Sequence, residues 1–374
     1  MAGKFYVLAD TYDPNTAKNN HIMSYVRGFE ELGIDAELVF LLPNSKAEKI
    51  RENRCINVSY LWSEKFAHSK LFKHIYKQFR YAKFFFSLKK GDVVVLLGLS
   101  AYVYRLAKKK GIRVYHERTE HPDAVQNSRF KFSMRNYIEG CCLCDGIFVI
   151  SHALKEFYES KGVDPLKIEV INMTVDSTRF NGVEREKSVD PYIAYCGNAS
   201  NSKDGVDDLI KSFAIVSKLF PQLLLYIIGN PPNNQSDNKL LAEQLGVVDK
   251  IKFTGLVPAE KMPQLLKNAT MLALARPNSL QNKYGFPTKL GEYLLTGNPV
   301  IVTRVGDIPH FLEDGVSALM SNCRDTEDFA NKMIWVMNNY DEALEIGRCG
   351  KKVAEFHFNY LTETKKMCNF IFKK

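Results

Sequence analysis

A chain of 374 residues has room for two or three domains at roughly 100 to 200 residues each. With 45% hydrophobic residues, 25% charged residues and 14 prolines, its composition excludes a disordered, collagen-like or coiled-coil protein. The net charge of +9 is uneven: residues 1–185 hold 29 Lys and Arg against 21 Asp and Glu, and residues 186–374 hold 22 against 21. A basic first half suits an anionic partner (a membrane surface, a phosphorylated lipid or nucleic acid) or serves solubility alone.

The first apolar run, residues 5–9, is too short for a signal-peptide core. No window reaches the roughly 18 to 20 uninterrupted apolar residues that a spanning helix needs. Eight cysteines suit a reduced compartment, and the expected address is cytoplasmic. Only Cys141 and Cys144 have metal-like spacing, and without a second matching pair they read as buried helix thiols.

In chain order, β-rich runs at 5–9, 36–42, 92–98, 112–116 and 146–150 alternate with helical patterns. Near-continuous apolar strands separated by helices predict a parallel sheet covered on both faces. The loop after the first run, with Asp10, Asn19 and Asn20, reads as a turn. Residues 65–90 hold eight Lys or Arg and no acid. Lys70, Lys73, Lys77 and Arg80 flank an apolar stripe of Leu71, Ile75, Phe79, Ala82 and Phe86, the pattern of an interfacial helix and equally of a helix packed on a sheet. Its interleaved aromatics and lysines also suit single-stranded nucleic acid. After a polar stretch at 181–190, taken as a linker, a second series begins at 192–196, 223–229, 251–255, 270–275 and 299–303. The prediction is two Rossmann-like doubly wound domains, 1–180 and 191–355, facing a central cleft, with a further helix in 356–374.

Ligands of such sheets bind at the carboxyl ends of strands, where helix N-termini attract anions. In "YIAYCGNASNSKDG" a strand leads into Gly197, Asn198, a small polar loop and Lys203, a plausible phosphate turn or simply a tight turn. Farther on, Arg276, Lys289 and Glu292 flank the Gly285-Phe286-Pro287 turn, with Thr288 at a helix start. Cations and helix N–H groups suit a diphosphate, and a carboxylate one turn later suits a ribose diol. Lys289 and Glu292 are equally spaced for a surface salt bridge.

The ordered series from "VISHALKEFYESKGVDPLKIEVINMTVDSTRF" through "YCGNASNSKDG", "YIIGN" (ending on Gly229 and Asn230), "FTGLVPAEKMPQLL" and "GFPTKLGEYLLTGNPVIVT" resembles the glycosyltransferases of family four, retaining enzymes of GT-B fold. The resemblance covers about 149–320; the first 148 residues share only the strand–helix rhythm. It implies that Glu292 holds the donor ribose, that Lys203 matches the family's lysine, that the loop with Asp10, Asn19 and Asn20 faces the acceptor, and that the helix in 356–374 returns to the first domain. Tyr284 stands where the family's first glutamate is usual, and Asn198 where its arginine is, with Arg276 as a compensating cation. His116 is the best match to the histidine that the family places after a first-domain strand, with Glu117 and Glu120 as polar companions and His121 as a weaker candidate. The implied reaction moves a hexosyl group from a nucleotide diphosphate sugar to a glycan or lipid-linked acceptor, as in bacterial cell-surface polysaccharide enzymes. It needs no metal, no cofactor and no side-chain nucleophile. The expected partners are the nucleotide sugar, the acceptor and an anionic membrane surface through 65–90, and not nucleic acid. The alternative is a catalytically silent nucleotide-sugar-binding protein.

Overall fold

The computed structural model describes residues 3–9, 17–40, 57–60, 70–97, 103–125, 134–186, 189–229 and 235–373, with the backbone alone at 17–20, 57, 58, 60, 70–78, 103, 125, 235 and 236. The chain divides into two compact units, Met1–Thr174 with Tyr360–Lys374, and Val175–Asn359.

The first unit is built on a seven-stranded sheet: β1 (Phe5–Ala9), β2 (Ala36–Phe40), β3 (Asn57–Tyr60), β4 (Val93–Leu97), β5 (Arg113–Arg118), β6 (Gly146–Val149) and β7 (Ile168–Val170). The spatial order is β3-β2-β1-β4-β5-β6-β7, and each neighbouring pair is parallel. β1 reads FYVLA and is buried throughout, because helices cover both faces of a parallel sheet. One of these helices, Ala17–Glu31, buries Ile22, Tyr25, Val26 and Phe29, the i, i+3, i+4, i+7 stripe of an amphipathic helix. The C-terminal helix Tyr360–Phe372 adds Met367, Cys368 and Ile371 to the same core. Its Tyr360 hydroxyl donates to Glu31 at 2.6 Å. Its Glu363 accepts the Asn172 backbone N–H at 2.7 Å.

The second unit carries β8 (Tyr192–Cys196), β9 (Leu224–Ile228), β10 (Ile251–Gly255), β11 (Met271–Leu274), β12 (Val300–Thr303) and β13 (Leu319–Ser321). All pairs are parallel, in the order β10-β9-β8-β11-β12-β13. Two doubly wound, Rossmann-like parallel sheets are therefore present, as the alternation of apolar runs predicts.

Three sequence expectations differ from what is observed. Asn19 and Asn20 lie in the helix Ala17–Glu31 instead of the loop before it, and Asp10 lies outside the described residues. The polar stretch 181–190 belongs to the second unit, which begins at Val175. Arg185 donates to the Tyr340 hydroxyl, and to Thr270 Oγ1 at 3.3 Å. The Glu186 N–H donates to Asn268 Oδ1 at 3.0 Å. Hydrogen bonds hold this segment, so hydropathy gives no sign of it. β3, β7 and β13 have no counterpart among the predicted strands.

Candidate functional site

The strand order of the second sheet reverses between β8 and β11, so the connections leaving these neighbours run to opposite faces and open a crevice at their carboxyl ends. Both sequence-predicted segments fall there. After β8 the backbone turns at Gly197, with φ +153°, where a Cβ would lie 2.3 Å from Lys289 Nζ. Gly229, at the end of β9, has φ +131°, and a Cβ there would meet the Gly197 carbonyl oxygen at 2.2 Å. These two glycines let β9, the β8 loop and Lys289 pack together without side chains between them. Asn198 is exposed. Ala199 holds the left-handed conformation at φ +47°, fixed by its N–H to the Tyr195 hydroxyl (3.1 Å) and its carbonyl to Asn238 Nδ2 (3.2 Å).

A short helix, Asn201–Asp204, follows, capped by Ser200, whose Oγ accepts from the Lys203 N–H at 3.3 Å. The half-buried Lys203 contributes its carbonyl to the packing, accepting from Arg276 Nε (3.3 Å) and Asn282 Nδ2 (2.8 Å). Asp204, which the sequence reading passed over, is the hub. Its carboxylate, 3% exposed, accepts from Lys289 Nζ at 2.5 Å and from the Tyr195 hydroxyl at 2.6 Å, with Arg276 Nε 3.8 Å away. Burial alone raises its pKa, but Lys289, Tyr195 and Arg276 together hold it below the ordinary carboxylate value. Two cations thus converge on one buried anion at the switch point.

Lys289 and Glu292 lie one turn apart on the helix Thr288–Leu295, whose Leu290, Tyr293 and Leu294 are buried. The surface pair that their spacing allows does not form. Lys289 turns to Asp204, and Glu292 receives the Arg179 guanidinium. Gly285, Phe286 and Pro287 are buried. Phe286 packs on Phe311 and Phe358, with ring centroids 5.5 and 5.3 Å apart, so it anchors the turn. Thr288 opens the helix and is half-buried, as is Tyr284.

In the first unit the period of β5 separates the predicted group. His116 is 1% exposed and pairs through Nδ1 with the Tyr104 hydroxyl. Arg118 shares that side of the strand and lies 4.2 Å over the Tyr137 ring. Glu117 points to the other face, where its Oε1 lies 2.8 Å from His21 Nε2 and accepts from the Tyr25 hydroxyl at 2.9 Å. His21 Nδ1 is 3.2 Å from Thr174 Oγ1. Glu120 is half-buried. His121 is buried beside the Phe157 ring, and burial lowers its pKa. Cys141 and Cys144 are buried, and burial pushes the Cys144 thiol up to about 12. Sequence reasoning missed Asp204, Arg179, His21 and Asn282. Of these only Asp204, next to Lys203, carried a local signal.

Residues 19–179 match the model of Glycosyltransferase Family 4, and residues 190–339 that of the group 1 glycosyl transferases. The D-inositol 3-phosphate glycosyltransferase of Nocardia farcinica is 24% identical over 56% of this chain and 48% of its own length. The mannosylfructose-phosphate synthase of Agrobacterium fabrum is 22% identical over 58% and 51%. The chain thus spans about half the length of the curated relatives it matches. Anabaena HepE, solved in complex with UDP, superposes with a TM-score of 0.77 at 15% identity, covering 99% of this chain and 100% of HepE. The lipopolysaccharide outer core galactosyltransferase WaaB superposes with a TM-score of 0.70 at 18% identity, over 99% of both chains. These likenesses give the fold, GT-B. With one family model on each unit, the chain belongs to the group 1, family four glycosyltransferases.

Proposed function

We propose that the chain is a retaining glycosyltransferase that moves a hexosyl group from a nucleotide diphosphate sugar to a glycan or lipid-linked acceptor, in the building of a cell-surface polysaccharide or related glycan. The observation that carries this reading is the gathering of Lys289 and Arg276 at the β8/β11 switch point, one helical turn from the half-exposed carboxylate of Glu292. A departing nucleoside diphosphate develops negative charge. Fixed cations and the N-terminus of Thr288–Leu295 oppose that charge with little reorganisation. Lys203, Gly197 and Asn198 border the diphosphate on this reading, and Glu292 accepts hydrogen bonds from the ribose diol. A donor phosphate oxygen takes the acceptor proton, so no side-chain nucleophile is needed. His116, Glu117 and Glu120 sit on the acceptor side, where His116 and Glu117 act through the networks they already hold.

Two comparisons support a nucleotide-sugar donor: HepE is solved with UDP and with UDP-glucose, and the relatives named above are a glycosyltransferase and a sugar-phosphate synthase. No helix among the described residues is long and apolar enough to cross a membrane. Peripheral attachment is part of the proposal. The helix Lys70–Ser87 exposes Phe79 (62%) and Phe86 (65%) beside exposed Lys83, with Lys110 Nζ 5.9 Å from the centre of the Phe86 ring. The side chains of Lys70, Lys73 and Lys77 lie outside the described residues.

The test is to incubate the protein with UDP-, GDP- and ADP-hexoses, with and without a lipid-linked glycan, and to follow nucleotide release and the anomeric configuration of the product by NMR. The reading expects release from one donor, faster with acceptor, and a product with the donor's configuration. An inverted product rejects retention. Absence of release from every donor, with nucleotide binding intact, favours the silent binding protein.

A further inference from the structure

We propose that Arg179 is a positioning residue for the donor ribose: it clamps one oxygen of Glu292 and leaves the other directed to the diol. The proposal rests on the reading of Glu292 as the ribose acceptor given above. An ionised carboxylate has two oxygens with about four acceptor sites. In Glu292, Oε1 takes the Arg179 Nη1 hydrogen bond, while Oε2 has no protein partner among the described residues, on a side chain 22% exposed. One oxygen is held and its twin is open.

Arg179 is itself fixed from two directions. Its Nη2 donates to the Ala259 carbonyl at 3.2 Å, in the turn that precedes the helix Met262–Asn268. Its own backbone lies in the 3₁₀ turn Ser177–Phe180, capped by Asp176, which accepts the Thr178 N–H at 3.0 Å. The segment before it is tied down where the Val175 N–H donates to the Phe358 carbonyl at 2.8 Å. All of these groups belong to the second unit. A planar guanidinium has rigidly spaced donors, so the Nη2 bond to Ala259 sets where Nη1 meets Glu292, which a lysine ammonium does not do. The pair is 23% and 22% exposed, so one edge of it opens to solvent, where a ligand can reach the carboxylate. A carboxylate so held meets a vicinal diol already oriented, and the rotamer freedom of a glutamate is not lost again on binding.

The experiment compares UDP, GDP and ADP with their 2′,3′-dideoxy counterparts by isothermal titration, on wild type, Glu292→Ala, Arg179→Ala and Arg179→Lys. Wild type should prefer the ribonucleotide by about tenfold or more, as expected for hydrogen bonds to a charged acceptor. Glu292→Ala should bind both forms within about twofold of each other. Arg179→Ala should retain about threefold preference or less, with its loss confined to the ribonucleotide, and Arg179→Lys should fall between it and wild type. If Arg179→Ala melts well below wild type, Arg179→Lys carries the same comparison. A wild type that binds none of the three nucleotides, or that ignores the diol, overturns the ribose reading and the proposal with it. So does a Glu292→Ala that discriminates as wild type does. If wild type discriminates, Glu292→Ala does not and the Arg179 variants match wild type, the proposal alone fails. Tighter ribonucleotide binding in Arg179→Ala also overturns it, because Arg179 would then be a competitor for Glu292.

Discussion

At the scale of single residues, the site turns on Asp204, a carboxylate that holds Lys289 and Arg276 at the switch point. Because its pKa is held below that of an unfolded aspartate near 3.9, it contributes stability above about pH 4 and loses it as pH falls through the folded value. Asp204→Asn leaves two buried cations facing a neutral amide and should cost about 3 to 5 kcal/mol at pH 7. In urea titrations the gap to wild type should narrow below pH 4, where wild-type Asp204 takes up a proton. A gap that does not change with pH contradicts the assignment. Lys289→Ala should weaken nucleotide binding and also destabilise the fold by a few kcal/mol, because it strips Asp204 of its closest cation. Glu292→Ala should cost less than about 1 kcal/mol of stability, the pair being partly exposed, but about 1.5 to 3 kcal/mol of nucleotide affinity. Lys289, Glu292 and Arg276 were legible from their spacing around one Gly-Phe-Pro turn. Arg179 and Asp204 were not, because their partners lie 113 and 85 positions away in sequence and only the folded sheet brings them near.

At the scale of elements, legibility mostly followed position in the sheet. All ten expected strands are present, nine of them in the interior of a sheet and one, β10, at an edge. The three that were missed, NVSY, IEV and LMS, are three or four residues long and stand at sheet edges, where one side is not paired and polar residues are tolerated. The apolar pattern of a central strand therefore does not extend to them. The C-terminal helix was legible from Leu361, Met367, Phe370 and Ile371, and Met367 and Ile371 lie fully buried in the core of the first unit. Ile371→Ala should cost about 2 to 5 kcal/mol in urea unfolding of the full chain. A change below 1 kcal/mol would show that the helix rests on the first unit without completing its core.

At the scale of the whole molecule, charge and chemistry are divided. The basic excess lies in residues 1–185, and the gathered cations that suit a diphosphate lie in the unit Val175–Asn359. Each Lys or Arg near an anionic leaflet adds about 1 kcal/mol. The chain should therefore sediment with anionic vesicles and not with neutral ones, and Arg80→Glu with Lys83→Glu should weaken this at least tenfold. Equal partitioning onto both vesicle types would leave Phe79 and Phe86 as exposed residues without that role. The unit boundary was the least legible feature, since the 181–190 stretch carries the polarity of a linker and the hydrogen bonds of a folded edge. The central claim is that the β8/β11 switch point holds the donor, and hydrogen exchange with and without a bound nucleotide sugar tests it most directly. Slowed exchange is predicted in residues 196–205, 275–277 and 285–292. Protection confined to the first unit, with these three segments unchanged in the presence of a donor that binds, would contradict it.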